Sequence, residues 1–383
     1  MIKMITIIVL LVIFSIAGLF IYALSIPPIT IPENTTKTDT LEALDVWLEE
    51  LNANEKFNGS VLLTKGEEII FNKSYGYEDI KETRLMSEKS AFNLASVSKQ
   101  FTAMGIVLLK YRNKIGYEDS LIKHIPELMH YEGITIQQLL HHTSGIPDYI
   151  SLANKYWREP DVLKASDMIS LLQTRKPPLR FSSGSKFEYS NTGYVLLAEV
   201  IERVSGQSFS QFMSDNIFQP LGMNNTQVFN LLSEDEPENR VFGFKRKYWI
   251  FGGDKQLQDL NYFDGVAGDG GIYSSSYDLY LWHNSLIKGS LVTNSDYEVA
   301  FKSGVLNDGS YTGYGFGWFI KQRNKVEHAG GWQGFTSYVY RDLESNNLIV
   351  ILDNSSNALR VNSFGYRINS IGLNLQYFLE SYK

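Results

Sequence analysis

The 383-residue chain contains no cysteine. Disulfides, thiolate metal sites and a cysteine nucleophile are therefore excluded, and the redox compartment is left open. Histidine is scarce, six in all and scattered. Without a His-Glu-x-x-His run nothing has metal-ligand spacing, so no metal or other cofactor is expected. Basic residues are outnumbered, 35 lysines and arginines against 42 acidic residues for a net charge of -7. They form no basic stripe, so a nucleic-acid partner is not expected. Internal repeats and low-complexity tracts are missing too. Apolar and aromatic residues are plentiful instead, 44% and 13% of the chain. That is ample for a sizeable core and for one large domain or two.

One apolar run is long. Met4–Leu24 carries no charge and as a helix would span about 30 Å, the thickness of a bilayer's hydrocarbon core. It exceeds the ~7–15 residues of a signal-peptide apolar region, and no clear small-x-small cleavage site follows. Residues 1–25 therefore read as a transmembrane anchor, with a cleaved signal as the alternative. Lys3 ahead of the span favours a cytoplasmic N-terminus, which places the rest of the chain outside the cytoplasm. A polar, Thr/Pro-rich linker is expected over 26–40 and the main domain over 41–383.

Within that domain Leu41, Leu44, Trp47, Leu48 and Leu51 have helical spacing. Ser60–Thr64 and the run Ile69, Ile70, Phe71, joined at Lys65-Gly66-Glu67, read as a hairpin. A helix beginning at Ser96 should bury Phe101, Met104, Val107, Leu108 and Tyr111. The middle of the chain is mixed, with a helical run at Gly193–Val204. Strands return at Gly317–Lys321, Gly334–Tyr340 and Leu348–Leu352, before a closing helix carrying Phe364, Ile368, Ile371, Leu375 and Phe378. The order suggests an α+β fold, with one antiparallel sheet built from both ends of the domain and a mostly helical insertion between.

Three segments carry chemistry. In Ser96-Val97-Ser98-Lys99 a hydroxyl and an amine stand three residues apart, the spacing of one helix face. A nucleophilic serine needs a base within hydrogen-bond reach, and the first turn of a helix offers free N–H groups to an oxyanion. In Tyr189-Ser190-Asn191 a tight loop can present a phenol and an amide to one cavity. An ammonium nearby stabilises a phenolate, so Tyr189 can take the Ser96 proton and return it to the leaving group. Asn191, donor and acceptor at once, would hold Lys99 and a substrate carbonyl. In Glu327-His328-Ala329-Gly330-Gly331-Trp332 small residues let a substrate lie along a strand backbone. The Gly331 N–H is placed to be a second oxyanion donor beside that of Ser96. His328 is expected to point into the same cleft as a donor to substrate or to Tyr189. Among the aromatic residues of the insertion, Tyr248, Trp249 and Phe251 read as packing, and Tyr262 and Phe263 as cleft contacts. Gly268-x-Gly270-Gly271 reads as a tight turn, since it lacks the Lys-Ser/Thr and the preceding hydrophobic strand of a nucleotide loop.

Ser96-x-x-Lys99, Tyr189-x-Asn191 and His328-x-Gly330, in this order, resemble the superfamily of class C β-lactamases, DD-peptidases and related esterases. The flanking segments Ile136–Pro147, Pro220-Leu221-Gly222-Met223 and Ala267–Ser274 are similar to that family as well. The resemblance covers about residues 41–355. It implies an acyl-enzyme mechanism at a site between an antiparallel sheet and a helical region. By it Ser96 is the nucleophile, Lys99 and Tyr189 transfer the proton, Asn191 positions and Gly331 is an oxyanion donor. The 136–147 segment, with His141 and His142, is structural in that family. One departure bears on substrate. Class C β-lactamases and many DD-peptidases have lysine where His328 stands, so a permanent cation for a substrate carboxylate is missing. This favours an esterase or peptidase over an efficient β-lactamase, acting on a small-molecule or peptide substrate. The alternative is a non-catalytic sensor or scaffold that binds peptidoglycan fragments or β-lactams. The intact set of Ser96, Lys99, Tyr189 and Asn191 argues against it.

Overall fold

The computed structural model describes residues 25–32, 36–158, 160–247, 253–321, 324–355 and 366–382. The anchor expected at Met4–Leu24 lies outside them. No helix among the described residues is long and apolar enough to cross a membrane.

Six strands form the main sheet: β1 (Gly59–Lys65), β2 (Glu68–Tyr75), β3 (Phe319–Ile320), β4 (Lys325–Trp332), β5 (Phe335–Asp342) and β6 (Asn347–Asp353). Their order is β2-β1-β6-β5-β4-β3, antiparallel throughout. The first and last strands meet at its centre, where Gly59 faces Asp353 and Ser60 faces Leu352. The expected hairpin and the two-ended sheet are both present. The strand expected at Gly317–Lys321 shrinks to Phe319–Ile320.

Side-chain alternation gives the sheet two apolar faces. On one, Val61, Leu63, Tyr338, Tyr340, Ile349 and Ile351 pack with helix α1 (Lys37–Ala53) and the closing helix, α6 (Tyr366–Ser381). Leu44, Trp47, Leu48 and Leu51 of α1 are buried there, as their spacing predicts, with Ile371, Leu375 and Phe378 of α6. Phe364 lies outside the described residues. Thr36 starts α1 as a capping box with Asp39, which satisfies N–H groups the helix cannot pair itself. The segment before it is a docked strap, not a loose tether. Ile29 is buried, its N–H is held by Asn374 Oδ1 at 2.8 Å, and Pro27 C=O accepts the Trp47 indole N–H at 3.1 Å.

The other face, with Leu62, Val339, Val350 and Leu352, packs against the helical region. Its central rod is α2 (Lys99–Tyr111), which packs on α4 (Asn191–Ser205) and meets α5 (Ser276–Lys288) where the Phe101 and Trp282 rings lie 4.7 Å apart; α3 (Tyr149–Tyr156) packs on α4. α2 is buried on every side from Lys99 to Leu109. It is therefore a core helix and not the amphipathic one its pattern suggests. Tyr111, expected inside, is 50% exposed because it stands on the last turn, beyond the packed stretch. Ser96 lies in a separate 3-10 turn, Ala95–Ser98, immediately ahead of α2. A small sheet anchors that turn: Phe92–Asn93 pairs with Ile272–Ser274, and the Leu94 N–H bonds Ile272 C=O at 2.8 Å.

Candidate active site

The turn that carries Ser96 is set by its own neighbours. Asn93 Oδ1 accepts the Ala95 N–H at 2.8 Å, and Ala95 sits at φ +47°. Left-handed backbone costs a non-glycine residue roughly 1–2 kcal/mol, so the surrounding packing holds the turn in place. One turn further on, Lys99 is fully buried. Its Nζ donates to Ser96 Oγ (3.2 Å), Asn191 Oδ1 (2.9 Å) and the Asp269 carbonyl (2.7 Å). An ammonium has three donors and no acceptor, and this geometry uses all three. The same nitrogen lies 5.0 Å from the centre of the Tyr189 ring.

Tyr189 and Asn191 flank the start of α4. Ser190 is its N-cap, in extended conformation, and Asn191 is its first residue. The Asn191 N–H is taken by Asp148 Oδ2 at 2.7 Å, while Asp148 Oδ1 accepts the Ile150 N–H at 3.0 Å. One carboxylate thus caps α3 and α4 together and fixes the angle at which Asn191 meets Lys99. The Tyr189 hydroxyl is buried with no hydrogen-bond partner among the described residues. Such a group costs about 1–3 kcal/mol unless something arrives to bond it.

The third side is β4. Val326, His328 and Gly330 face the helical region by strand alternation. A Cβ at Gly330 would lie 2.4 Å from Leu94 O, 2.4 Å from Ser337 Oγ and 2.9 Å from Ser96 N. The missing side chain is what lets the strand lie against the turn that carries Ser96. Gly331 and Trp332 line the cleft beside it.

His328 is the correction. It is 1% exposed, accepts from the Tyr314 hydroxyl at Nε2 (3.0 Å) and donates from Nδ1 to its neighbour's carbonyl, Ala329 O (2.8 Å). Its ring centre is 6.2 Å from that of Tyr189. Burial first, and then the positive charge of Lys99, pull its pKa down to about 3. It is a neutral buried residue beneath the site and does not reach into the cleft.

The cleft has a volume of about 360 Å³ and brings Ser96, Tyr189, Asn191 and Gly331 together, with Tyr149, Ile150, Phe263, Val266 and Trp332 as apolar walls. Lys99 and Gly330 stand directly behind. Phe263 is a cleft contact as expected; Tyr262, expected there as well, is not among the lining residues and packs against Phe263, ring centres 4.3 Å apart and planes tilted by 33°. Tyr248, Trp249 and Phe251 lie outside the described residues.

Two cleft carboxylates escape the sequence reading. Asp269 belongs to the glycine turn, with Gly268 at φ +104° and Gly271 at φ +80°. The turn is real, but its middle residue holds Lys99 by the backbone and accepts the Tyr149 hydroxyl at Oδ2 (3.2 Å). Burial raises its pKa, with Lys99 opposing. Asp264 accepts the Trp332 indole N–H and the Asn261 N–H, each at 2.6 Å, yet burial pushes its pKa up to about 7. An aspartate set between glycines was the available signal for the first; nothing in the sequence marks the second.

Comparison with known proteins settles the relationship. The chain matches the Beta-lactamase family model over residues 44–366. It belongs to the β-lactamase family. It is 34% identical over 331 residues to penicillin-binding protein 4* of Bacillus subtilis (strain 168), covering 83% of this chain and 72% of that one. Protein flp of Staphylococcus aureus (strain MW2) is 28% identical over 340 residues, covering 82% of this chain and 63% of the relative. Among solved structures, a penicillin-binding protein from Bacillus halodurans superimposes with a TM-score of 0.72 at 26% identity, covering 86% of this chain and 98% of that one. D-amino acid amidase from Ochrobactrum anthropi SV3 shares the fold, with a TM-score of 0.72 at 22% identity over 90% of this chain and 98% of that one.

Proposed function

We propose that this β-lactamase-family protein is a serine hydrolase working through an acylated Ser96. The observation that carries the reading is the fully buried Lys99 side chain, its Nζ 3.2 Å from Ser96 Oγ, behind a cleft that Tyr189 lines, with the Tyr189 hydroxyl buried and without a partner among the described residues. With all three Lys99 protons engaged, the proton acceptor assigned here is Tyr189 as phenolate. It takes the Ser96 proton as Oγ bonds the substrate carbonyl carbon. The oxyanion is received by the N–H groups of Ser96 and Gly331. As the tetrahedral intermediate collapses, the bond to the leaving group breaks and Tyr189 returns the proton to it. Water then hydrolyses the ester on Ser96 by the same steps.

The substrate class we propose is an ester, amide or peptide, with cell-wall peptides supported by the likeness to penicillin-binding protein 4*. Among the described residues, the charged side chains lining the cleft are Asp264 and Asp269, and no cation lines it. That supports neutral acyl substrates over carboxylate-bearing β-lactams, the preference the missing lysine at 328 suggests. An extracytoplasmic, membrane-anchored placement rests on the uncharged apolar run Met4–Leu24.

The test is labelling with a fluorophosphonate and a fluorescent penicillin side by side, together with the ratio of kcat/KM for a neutral ester to that for a penicillin. Fluorophosphonate labelling and ester turnover are expected in the wild type, with a ratio above one. Ser96→Ala should abolish both, a loss of several powers of ten because nucleophile and base act as a unit. Turnover retained in folded Ser96→Ala protein would sink the mechanism.

A further inference from the structure

Tyr189 sits in a loop, and loops do not hold a catalytic phenol still unless something grips their backbone. Asp148 holds the loop at Asn191, and the grip on either side of Tyr189 itself comes from one residue outside the cleft. His142 follows the short helix Ile136–Leu140 and is 2% exposed. Its carbonyl accepts the Glu188 N–H at 3.0 Å, and its Nδ1 accepts the Ser190 N–H at 3.2 Å. These are the residues on either side of Tyr189. The imidazole also lies against the phenol ring, with centres 4.3 Å apart and planes 33° from parallel.

Two further features single this residue out. His142 is at φ +57°, a backbone conformation that a non-glycine residue holds at a cost. Its Nε2 is buried with no hydrogen-bond partner among the described residues, so the polar link of the ring is the one at Nδ1. Because Nδ1 accepts, the proton must be on Nε2 and the ring must be neutral. Burial above all, and then the charge of Lys99, hold its pKa well below the ordinary 6.5, so this acceptor persists wherever the enzyme would work.

We infer that His142 is a positioning residue for Tyr189, bracketing it through the two flanking backbone N–H groups so that its hydroxyl faces Ser96. The inference rests on the reading of Tyr189 as the proton-transfer residue. It predicts a contrast between two substitutions. His142→Asn keeps an acceptor, Oδ1, near the place of Nδ1, and asparagine tolerates left-handed backbone. His142→Phe keeps a ring against Tyr189 and removes the acceptor.

The rate of Ser96 acylation by a fluorophosphonate and the hydrolysis of p-nitrophenyl acetate read the outcome, with thermal melting as the check on folding. His142→Asn should stay within several-fold of wild type. His142→Phe should lose on the order of 100-fold in kcat with KM little changed, the scale of a displacement of about 1 Å in a reacting group. In a Tyr189→Phe background, His142→Phe should cost little more, because the residue it positions is already disabled. A merely structural role would instead give losses that add in full across that cycle. Full additivity, a wild-type rate in His142→Phe, or equal losses in both His142 variants would each overturn the inference while leaving Tyr189's role intact. If Tyr189→Phe alone acylates normally, the proton-transfer reading falls and this inference with it. Should His142→Phe not fold, His142→Gln takes its place, since its longer side chain moves the amide toward the Nε2 position and leaves the Ser190 N–H without its acceptor.

Discussion

A single nitrogen with three acceptors organises the site. Lys99 Nζ ties Ser96, Asn191 and the glycine turn to one point, and the Tyr189 ring lies over it. If Lys99 and Tyr189 act on the same proton, they work as one unit. Lys99→Ala and Tyr189→Phe should then each cut fluorophosphonate acylation sharply, and the double variant should lose little more than the worse single. Fully additive losses would show two independent roles. Asp264 gives a pH signature of its own. Its folded pKa of about 7 lies above its ordinary 3.8. The stability it contributes is therefore fully present below pH 3.8 and is lost as pH rises through 7. Between pH 6 and pH 8 the wild-type melting temperature should fall relative to that of Asp264→Asn. Parallel curves for the two proteins would show that Asp264 does not titrate in that window. His328 stays neutral in the folded protein across pH 5 to 8, so it adds no ionisation to an activity profile there; its effect on stability is a loss as pH falls below its ordinary 6.5, where the unfolded chain takes up the proton.

At the scale of elements, the site is a meeting of ends: the turn before α2, the first residue of α4, the inner edge of β4 and one glycine turn. Gly330 is where two of them touch. Gly330→Ala would drive a methyl into the Leu94 carbonyl and toward the Ser96 N–H. It should cost about 1–3 kcal/mol of stability, the range for overpacking, and slow acylation by displacing the nucleophile. Unfolding in denaturant and acylation rate measure the two effects; a variant unchanged in both would show that β4 gives way freely. Which elements exist, and the triplets they carry, are legible in the sequence, because Ser96, Lys99, Tyr189 and Asn191 lie close together within short motifs. The aim of His328 is not. A strand's two faces alternate, and no local pattern says which one looks into a cleft that other elements build. Tyr111 misleads for the matching reason: periodicity gives a face but not where the packed stretch of a helix stops. Asp264 meets Trp332, and Asp269 meets Tyr149, only through tertiary folding, so neither leaves a spacing to read.

For the whole molecule, the decisive pairing is β1 with β6, which joins Gly59 to Asp353 across the width of the domain. Contacts so distant in sequence form late and slowly. A chain stopped after Asp342 would keep every residue proposed for the site, from Ser96 to Gly331, yet leave β1 and β5 with bare edges where β6 belongs. Such a chain is expected to show no cooperative melting and no fluorophosphonate labelling. Cooperative melting with intact labelling would show that the helical region and β3–β5 suffice.

The place of β6 also bears on when the chemistry can begin. The serine is made early and the strand that locks the sheet is made nearly last, so a growing copy carries its nucleophile long before it has a site to put it in. A ribosome that stalls before β6, or a protease that clips it away, is therefore expected to leave an inert fragment and not a loosely specific hydrolase.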